Sequence, residues 1–176
     1  MAETFHFECP APLAARGILV RPETVPDVAA LRRIYFEHRR AEFALLPLAQ
    51  AQLAALVQSQ FDMQRGHYAT QYPQAQLLAL VEGGEIIGRL YLAQAGGAVW
   101  IVDILLQANS RNQGIASLLL GGVLAQAARL KLAVCLHVDK HNRAARLYQR
   151  LGFAVTGESD MAWRMQAGET GCPASS

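Results

Sequence analysis

The sequence predicts a mixed α+β fold in the order β-α-α-β-β-β-α-β-α-β-β, and three observations carry that expectation. The apolar period shifts from helical to alternating near residue 76. The pairs Gly83-Gly84 and Gly96-Gly97 then divide the alternating stretch into a meander of three strands. Beyond it, a long apolar helix separates two apolar strands, which makes those strands parallel neighbours.

Each element has its own signal. Gly17 to Arg21 reads as a first strand that Pro22 ends. Asp27 opens a helix over 26–39, with Val28, Leu31, Ile34 and Tyr35 at helical spacing. Pro47 breaks the chain, and a second helix over 48–65 sets Leu53, Leu56, Val57, Gln60 and Phe61 on one side. Strands follow over 76–81, 85–93 and 98–107, the last apolar on both faces and therefore central. The helix over 114–130 is apolar almost all round and should be buried against the sheet. Leu132 to Val138 is a strand, and Asn142 to Leu151 a helix stopped by Gly152. Residues 153–157 and 161–165 make a last hairpin, whose free edges are compatible with a homodimer. Residues 1–16, with Pro10 and Pro12, are expected to be a mobile arm, 17–166 a single domain and 167–176 a disordered tail.

Composition limits the function classes. A chain of 176 residues with 52% hydrophobic and 17% charged residues has a real core and is not disordered. A net charge of +2 does not point to nucleic acid. No apolar run is long enough to cross a membrane, and the N-terminus lacks the basic start of a signal peptide. Cys9, Cys135 and Cys172 are scattered without metal-ligand spacing, so no metal and a reducing, cytoplasmic setting are expected.

The apolar run Trp100 to Leu106 leads into Ser110-Arg-Asn-Gln-Gly-Ile-Ala116 and then into the long helix. A strand, a glycine-bearing turn and a helix N-terminus make a place to hold an anion. The first helical N–H groups have no intrahelical partner, and the macrodipole is positive there. Gly114 and Ala116 let backbone approach a phosphate closely, and Arg111 adds a fixed positive charge.

Arg111-Asn-Gln-Gly114-Ile-Ala116 resembles the (Arg/Gln)-x-x-Gly-x-(Gly/Ala) signature of the GNAT N-acetyltransferases. Further on, Asn142-Arg-Ala-Ala-Arg-Leu-Tyr148-Gln-Arg-Leu-Gly152-Phe153 resembles their second signature. The two motifs share the family's order, distance and strand–helix context, and the resemblance spans 17–166. It implies a sheet with splayed central strands. In the family, amides at positions matching Arg111, Asn112, Gln113, Gly114, Ile115 and Ala116 hold the pyrophosphate of acetyl-CoA. The strand matching Ile104, Leu105 and Leu106 is splayed after a bulge, and its free main-chain groups pair with the pantetheine amides. The second motif has one residue fewer before its tyrosine than is common, so its cofactor contact falls to Asn142 or His141. Asn142 also fits a helix N-cap. Residues 107–110 replace the usual proline-bearing turn, which should loosen that loop. Tyr148 matches the family tyrosine near the thioester sulfur. The implied activity moves acetyl from acetyl-CoA to the amine of a small molecule. A protein N-terminus or lysine, or a non-catalytic coenzyme-binding role, are the alternatives.

Such a reaction needs a neutral amine, a donor for the developing oxyanion and a proton for the leaving thiolate. Tyr148 is the expected acid, with packing against Ala144 and Ala145 as its structural alternative. A carboxylate inside Trp-Ile-Val-Asp-Ile-Leu-Leu is costly to bury unpaired. Asp103 is therefore either a site residue or paired with an arginine such as Arg89 on the neighbouring strand. His137 falls where some members of the family carry a strand glutamate that relays a proton, a task an imidazole suits, with a core or edge histidine bonded to backbone as its alternative. Tyr35 and Glu42 fall in the stretch that covers the acceptor pocket in the family.

Overall fold

The structure is a computed structural model that describes residues 4–43 and 48–168. The expected break at Pro47 and the tail beyond Gly168 lie outside the described residues. Seven strands form one sheet in the order β1-β2-β3-β4-β5-β7-β6. β1 (Ile18–Pro22), β2 (Gln76–Glu82), β3 (Glu85–Ala95) and β4 (Ala98–Leu106) are antiparallel. β5 (Ala133–Asp139) joins β4 in parallel, and β7 (Ala162–Ala167) docks on β5 with β6 (Ala154–Glu158) outside it.

Two helices cover one face: α2 (Asp27–Phe43) and α3 (Gln50–Gln71) bury Leu31, Ile34, Val57 and Phe61 against Ala79, Val81 and Leu105. On the other face α4 (Ile115–Arg129) and α5 (Ala145–Arg150) pack onto Leu80, Leu90, Val134 and Leu136. α3 runs past Gly66, where the sequence signal faded, because Tyr68 packs edge-on against Tyr91 with centroids 6.1 Å apart. α5 starts later than expected, since Asn142 to Ala144 form a turn ahead of it.

Residues 4–16 are not a loose arm. They include a one-turn helix α1 (Ala11–Ala14), and Phe5 and Leu13 are buried in the core beneath α4. Burial of these side chains outweighs the ordering entropy that the prolines suggested would keep the segment free. The loop over 107–110 is not loosened either. It forms a 3-10 turn in which Gln107 N–H bonds Ile87 C=O at 2.9 Å and Gln107 Nε2 bonds Ser110 Oγ at 3.1 Å.

The sheet splits in its middle. Tyr91 pairs with Asp103 and Leu92 with Ile101, so Val102 is an extra residue in β4. Such a bulge bends and twists the strand that carries it. Pairing of β4 with β5 runs from Ala98/Ala133 to Ile101/Leu136 and stops there. β4 continues to Leu106 without a partner on that side.

At the start of α2, Asp27 is buried. Its carboxylate accepts Thr24 N–H and Oγ1–H, each at 2.8 Å, and takes a two-pronged grip from Arg21 at 2.7 and 2.9 Å. Hydrogen bonding to Arg21 outweighs burial and, with Thr24, holds the carboxyl well below the usual range. Asp27→Asn should cost about 1 kcal/mol at neutral pH, because the neutral amide loses the ion pair with the half-exposed Arg21. A depressed folded pKa stabilises above the unfolded value, and that stability is lost as pH falls through the folded one. The difference in Tm between wild type and variant, measured by calorimetry, should therefore close in acid.

Candidate active site

The split exposes one edge of β4. Leu105 turns its carbonyl toward β3, where a Cβ on Gly88 would lie 2.3 Å from it, and Gln107 N–H also bonds across to β3. Main-chain groups alternate along a strand. The N–H and C=O of Ile104 and Leu106 therefore face the gap. Arg111 marks the same direction, since its Nε donates to Leu106 C=O at 2.9 Å across that side. Among the three residues named from the sequence, Ile104 and Leu106 present their backbone to the gap and Leu105 does not.

At the end of this edge the chain turns. Asn112 (φ 58°) and Gly114 (φ 78°) are left-handed, and α4 begins at Ile115. A cavity of about 1270 Å³ opens over this turn. Arg111, Asn112, Gly114, Ile115 and Ala116 form one wall, and Asn142, Arg143, Arg146 and Arg150 form another. With Arg39, five arginines face it against the carboxylates of Glu42 and Asp139. A helix N-terminus, left-handed turn amides and excess positive charge fit a diphosphate. The unpaired β4 edge leading to it can pair with an extended chain bearing amides, so the residues present fit coenzyme A. Gln113 falls outside the cavity wall and bonds Asn109 C=O through Nε2 at 2.6 Å.

The chemistry-bearing side chains divide between the two faces. Tyr148 stands on α5, almost buried, with its ring edge on Phe153 at 5.7 Å. No hydrogen bond ties its hydroxyl to a described residue. Burial, then the negative charge of Asp103, pushes its pKa up to about 12, so the phenol keeps its proton. Asp103 faces the α2/α3 side, where its Oδ2 accepts Arg89 Nε at 2.5 Å. Arg89 is 1% exposed, gives Nη2 to Gln64 Oε1 at 2.6 Å and lies 4.9 Å from the Tyr91 ring centre. The ion pair raised from sequence as the alternative for Asp103 is thus present. It occupies one oxygen and leaves Oδ1 without a partner among the described residues, on a side chain 18% exposed.

His137 lies just past the last β4–β5 pair and stacks on Trp100 with centroids 5.3 Å apart. Burial, then the charge of Arg164, lowers its pKa, so it is neutral at pH 7. Tyr35 is turned into the α2/α3 core, with its ring 5.5 Å from Phe61, and does not line the coenzyme cavity. Its helical spacing with Leu31 and Ile34 already contained that answer. Glu42 lies on the cavity wall and pairs with Arg39 at 3.1 Å. Asn142 and His141 both line the cavity, and Asn142 Oδ1 accepts Ala144 N–H at 2.9 Å, the cap-like role.

The sequence reading missed His38 and the row Arg143, Arg146 and Arg150. The arginines recur at helical spacing, a signal that was available. His38 follows Ile34 by one turn of α2 and reaches the cavity wall, where partial desolvation and then the charge of Arg111 lower its pKa. Among the described residues no cluster of His, Cys, Asp and Glu could hold a metal ion, and no helix is long and apolar enough to cross a membrane.

A sheet split at a bulge beside an anion-holding turn is the architecture of an acyl-coenzyme A transferase. The chain belongs to the acetyltransferase (GNAT) family, whose profile matches residues 29–153. Solved structures share the fold. PaiA N-acetyltransferase from Thermoplasma acidophilum, in complex with coenzyme A, is 15% identical, with a TM-score of 0.65 over 86% of this chain and 99% of that one. An acetyltransferase from Thermus thermophilus is 18% identical, with a TM-score of 0.63 over 86% and 97%. RimL, a ribosomal L7/L12 alpha-N-protein acetyltransferase, is 17% identical, with a TM-score of 0.60 over 87% and 91%. No curated protein matches the sequence.

Gly114→Glu places a strained residue and a carboxylate in the anion-holding turn. Calorimetry should find no coenzyme A binding by this variant while it still melts cooperatively. Unchanged affinity would reject the turn as the anion site.

Proposed function

We propose that this acetyltransferase moves the acetyl group of acetyl-CoA to the primary amine of a small molecule by direct attack, with both reactants bound. The observation that carries the proposal is the end of β4–β5 pairing at Ile101 and Leu136, which leaves the β4 edge beyond Asp103 open as far as the arginine-walled cavity. Bound acetyl-CoA supplies an activated thioester. The amides of Gly114, Ile115 and Ala116 hold its diphosphate, with Arg146 and Arg150 facing it from α5 and Arg143 from the turn before α5. Ile104 and Leu106 offer main-chain groups to its amides, as an added strand would. This aligns the thioester along the gap, and positioning supplies much of the rate.

Tyr148 donates its proton to the departing sulfur; its raised pKa keeps that proton on the phenol at neutral pH until the thiolate develops. Arg89 orients Asp103 so that Oδ1 faces the amine, drawing it in and accepting its proton directly or through water. His137, neutral and at the apex of the split, is the second candidate for that proton. Glu42 lies further out, on the cavity wall. The small-molecule reading rests on the burial of Asp103. The carboxylate is mostly buried, and on the same face Tyr68 of α3 meets Tyr91 of β3 edge-on. A carboxylate so enclosed is reached by an amine on a slender stem more readily than by a folded protein chain.

Thiol release from acetyl-CoA, measured across small primary amines and a matching set of peptides, tests the reading. Turnover with small amines supports it, and turnover with peptides alone would reject the acceptor class. Tyr148→Phe should lower kcat by roughly a hundredfold with coenzyme A affinity unchanged, and equal kcat would return Tyr148 to a packing role. Asp103→Asn should raise the acceptor KM. A loss of Tm without a change in KM would instead mark Asp103 as purely structural.

A further inference from the structure

The packed N-terminal segment lies outside the stretch that matches the family. Side-chain amides hold it in place. Phe5 N–H donates to Gln94 Oε1, and Phe5 C=O accepts Gln76 Nε2, each at 2.6 Å. Gln76 Oε1 takes Phe7 N–H at 2.9 Å. Gln126 on α4 accepts Glu8 N–H and donates to Glu8 C=O, both at 2.9 Å. Pro10 sits directly on α4, where a Cβ on Gly122 would come within 2.4 Å of its Cγ. The segment is therefore a fixed part of the face that carries α4.

Its last residue before β1's glycine turn reaches the coenzyme turn. Arg16 Nη1 donates to Gln113 C=O at 2.8 Å, and Nη2 to Gln113 Oε1 at 3.3 Å. Gln113 stands between the two left-handed residues Asn112 and Gly114. Asn and Gly are the residues that enter that region most readily, so the turn is set by residue choice, and the direction of the peptide between them by what its C=O meets. In a planar trans peptide the C=O of one residue and the N–H of the next point in opposite directions. Holding Gln113 C=O toward Arg16 therefore aims Gly114 N–H the other way, and Gly114 lines the cavity while Gln113 does not.

We propose that Arg16 is a positioning residue for coenzyme binding, fixing the Gln113–Gly114 peptide so that the turn amides face the diphosphate. The inference rests on the reading of that turn as the coenzyme site. Arg16 is an exposed hydrogen-bonding partner, so its replacement leaves the core intact. With coenzyme A alone as the probe, Arg16→Ala should weaken binding five- to tenfold by calorimetry, with Tm unchanged. In turnover with the best amine of the panel, KM for acetyl-CoA should rise by the same factor, with kcat and the acceptor KM unchanged. Arg16→Lys keeps the charge but loses the fork, and should recover only part of the affinity. Unchanged affinity in Arg16→Ala overturns the inference. So does full recovery in Arg16→Lys, which would assign the effect to charge alone. A wild type that does not bind coenzyme A removes the underlying reading, and this inference with it.

Discussion

One extra residue in β4 governs the rest of the molecule. Without Val102 the strand would continue its pairing with β5, and each main-chain group of Ile104 and Leu106 would be used inside the sheet. With it, pairing ends at Ile101 and Leu136, and an unpaired edge faces a gap. An unsatisfied polar group away from water costs about 1–3 kcal/mol. The fold therefore tolerates such an edge only where something else meets it. Arg111 does so at Leu106, through its Nε, and the amides of a bound coenzyme do so in the proposed reaction.

The charges follow from the same split. Positive groups gather where the edge ends, on the turn, on α2 and along α5. Beneath α2 and α3 the buried cation is Arg89, set among aromatic rings and matched to Asp103. That pairing makes Asp103 tolerable in an apolar strand and aims its second oxygen outward. A buried pair of this kind contributes little net stability, but breaking it is severe, because the remaining charge has no solvent. Its presence at the split therefore reads more naturally as orientation than as reinforcement.

Much of this was legible in the sequence, and the reasons differ by element. The meander, the crossover helix and the anion turn announced themselves through glycine pairs and a change of period, both local signals. The Arg89–Asp103 pair was foreseeable because neighbouring strands bring such side chains within reach on a diagonal. Tyr35 packs in the α2/α3 core, as its spacing with Leu31 and Ile34 requires, with its ring 6.0 Å from the Arg89 guanidinium that holds Asp103. The N-terminal segment was not legible. Its anchors are the side-chain amides of Gln76, Gln94 and Gln126, distant in sequence, and no local pattern reveals an amide that stands in for a strand. The direction of the backbone at Leu105 was equally hidden, since it depends on the register that β3 imposes.

Hydrogen exchange at single amides, with and without coenzyme A, addresses the split sheet most directly. Coenzyme A should slow exchange at Leu106 and Ile104 on the edge together with Gly114 to Ala116 in the turn. Leu105, already turned toward β3, should stay as it was. Protection confined to the turn, or none at either segment in a protein that binds coenzyme A, would contradict a coenzyme seated along the β4 edge.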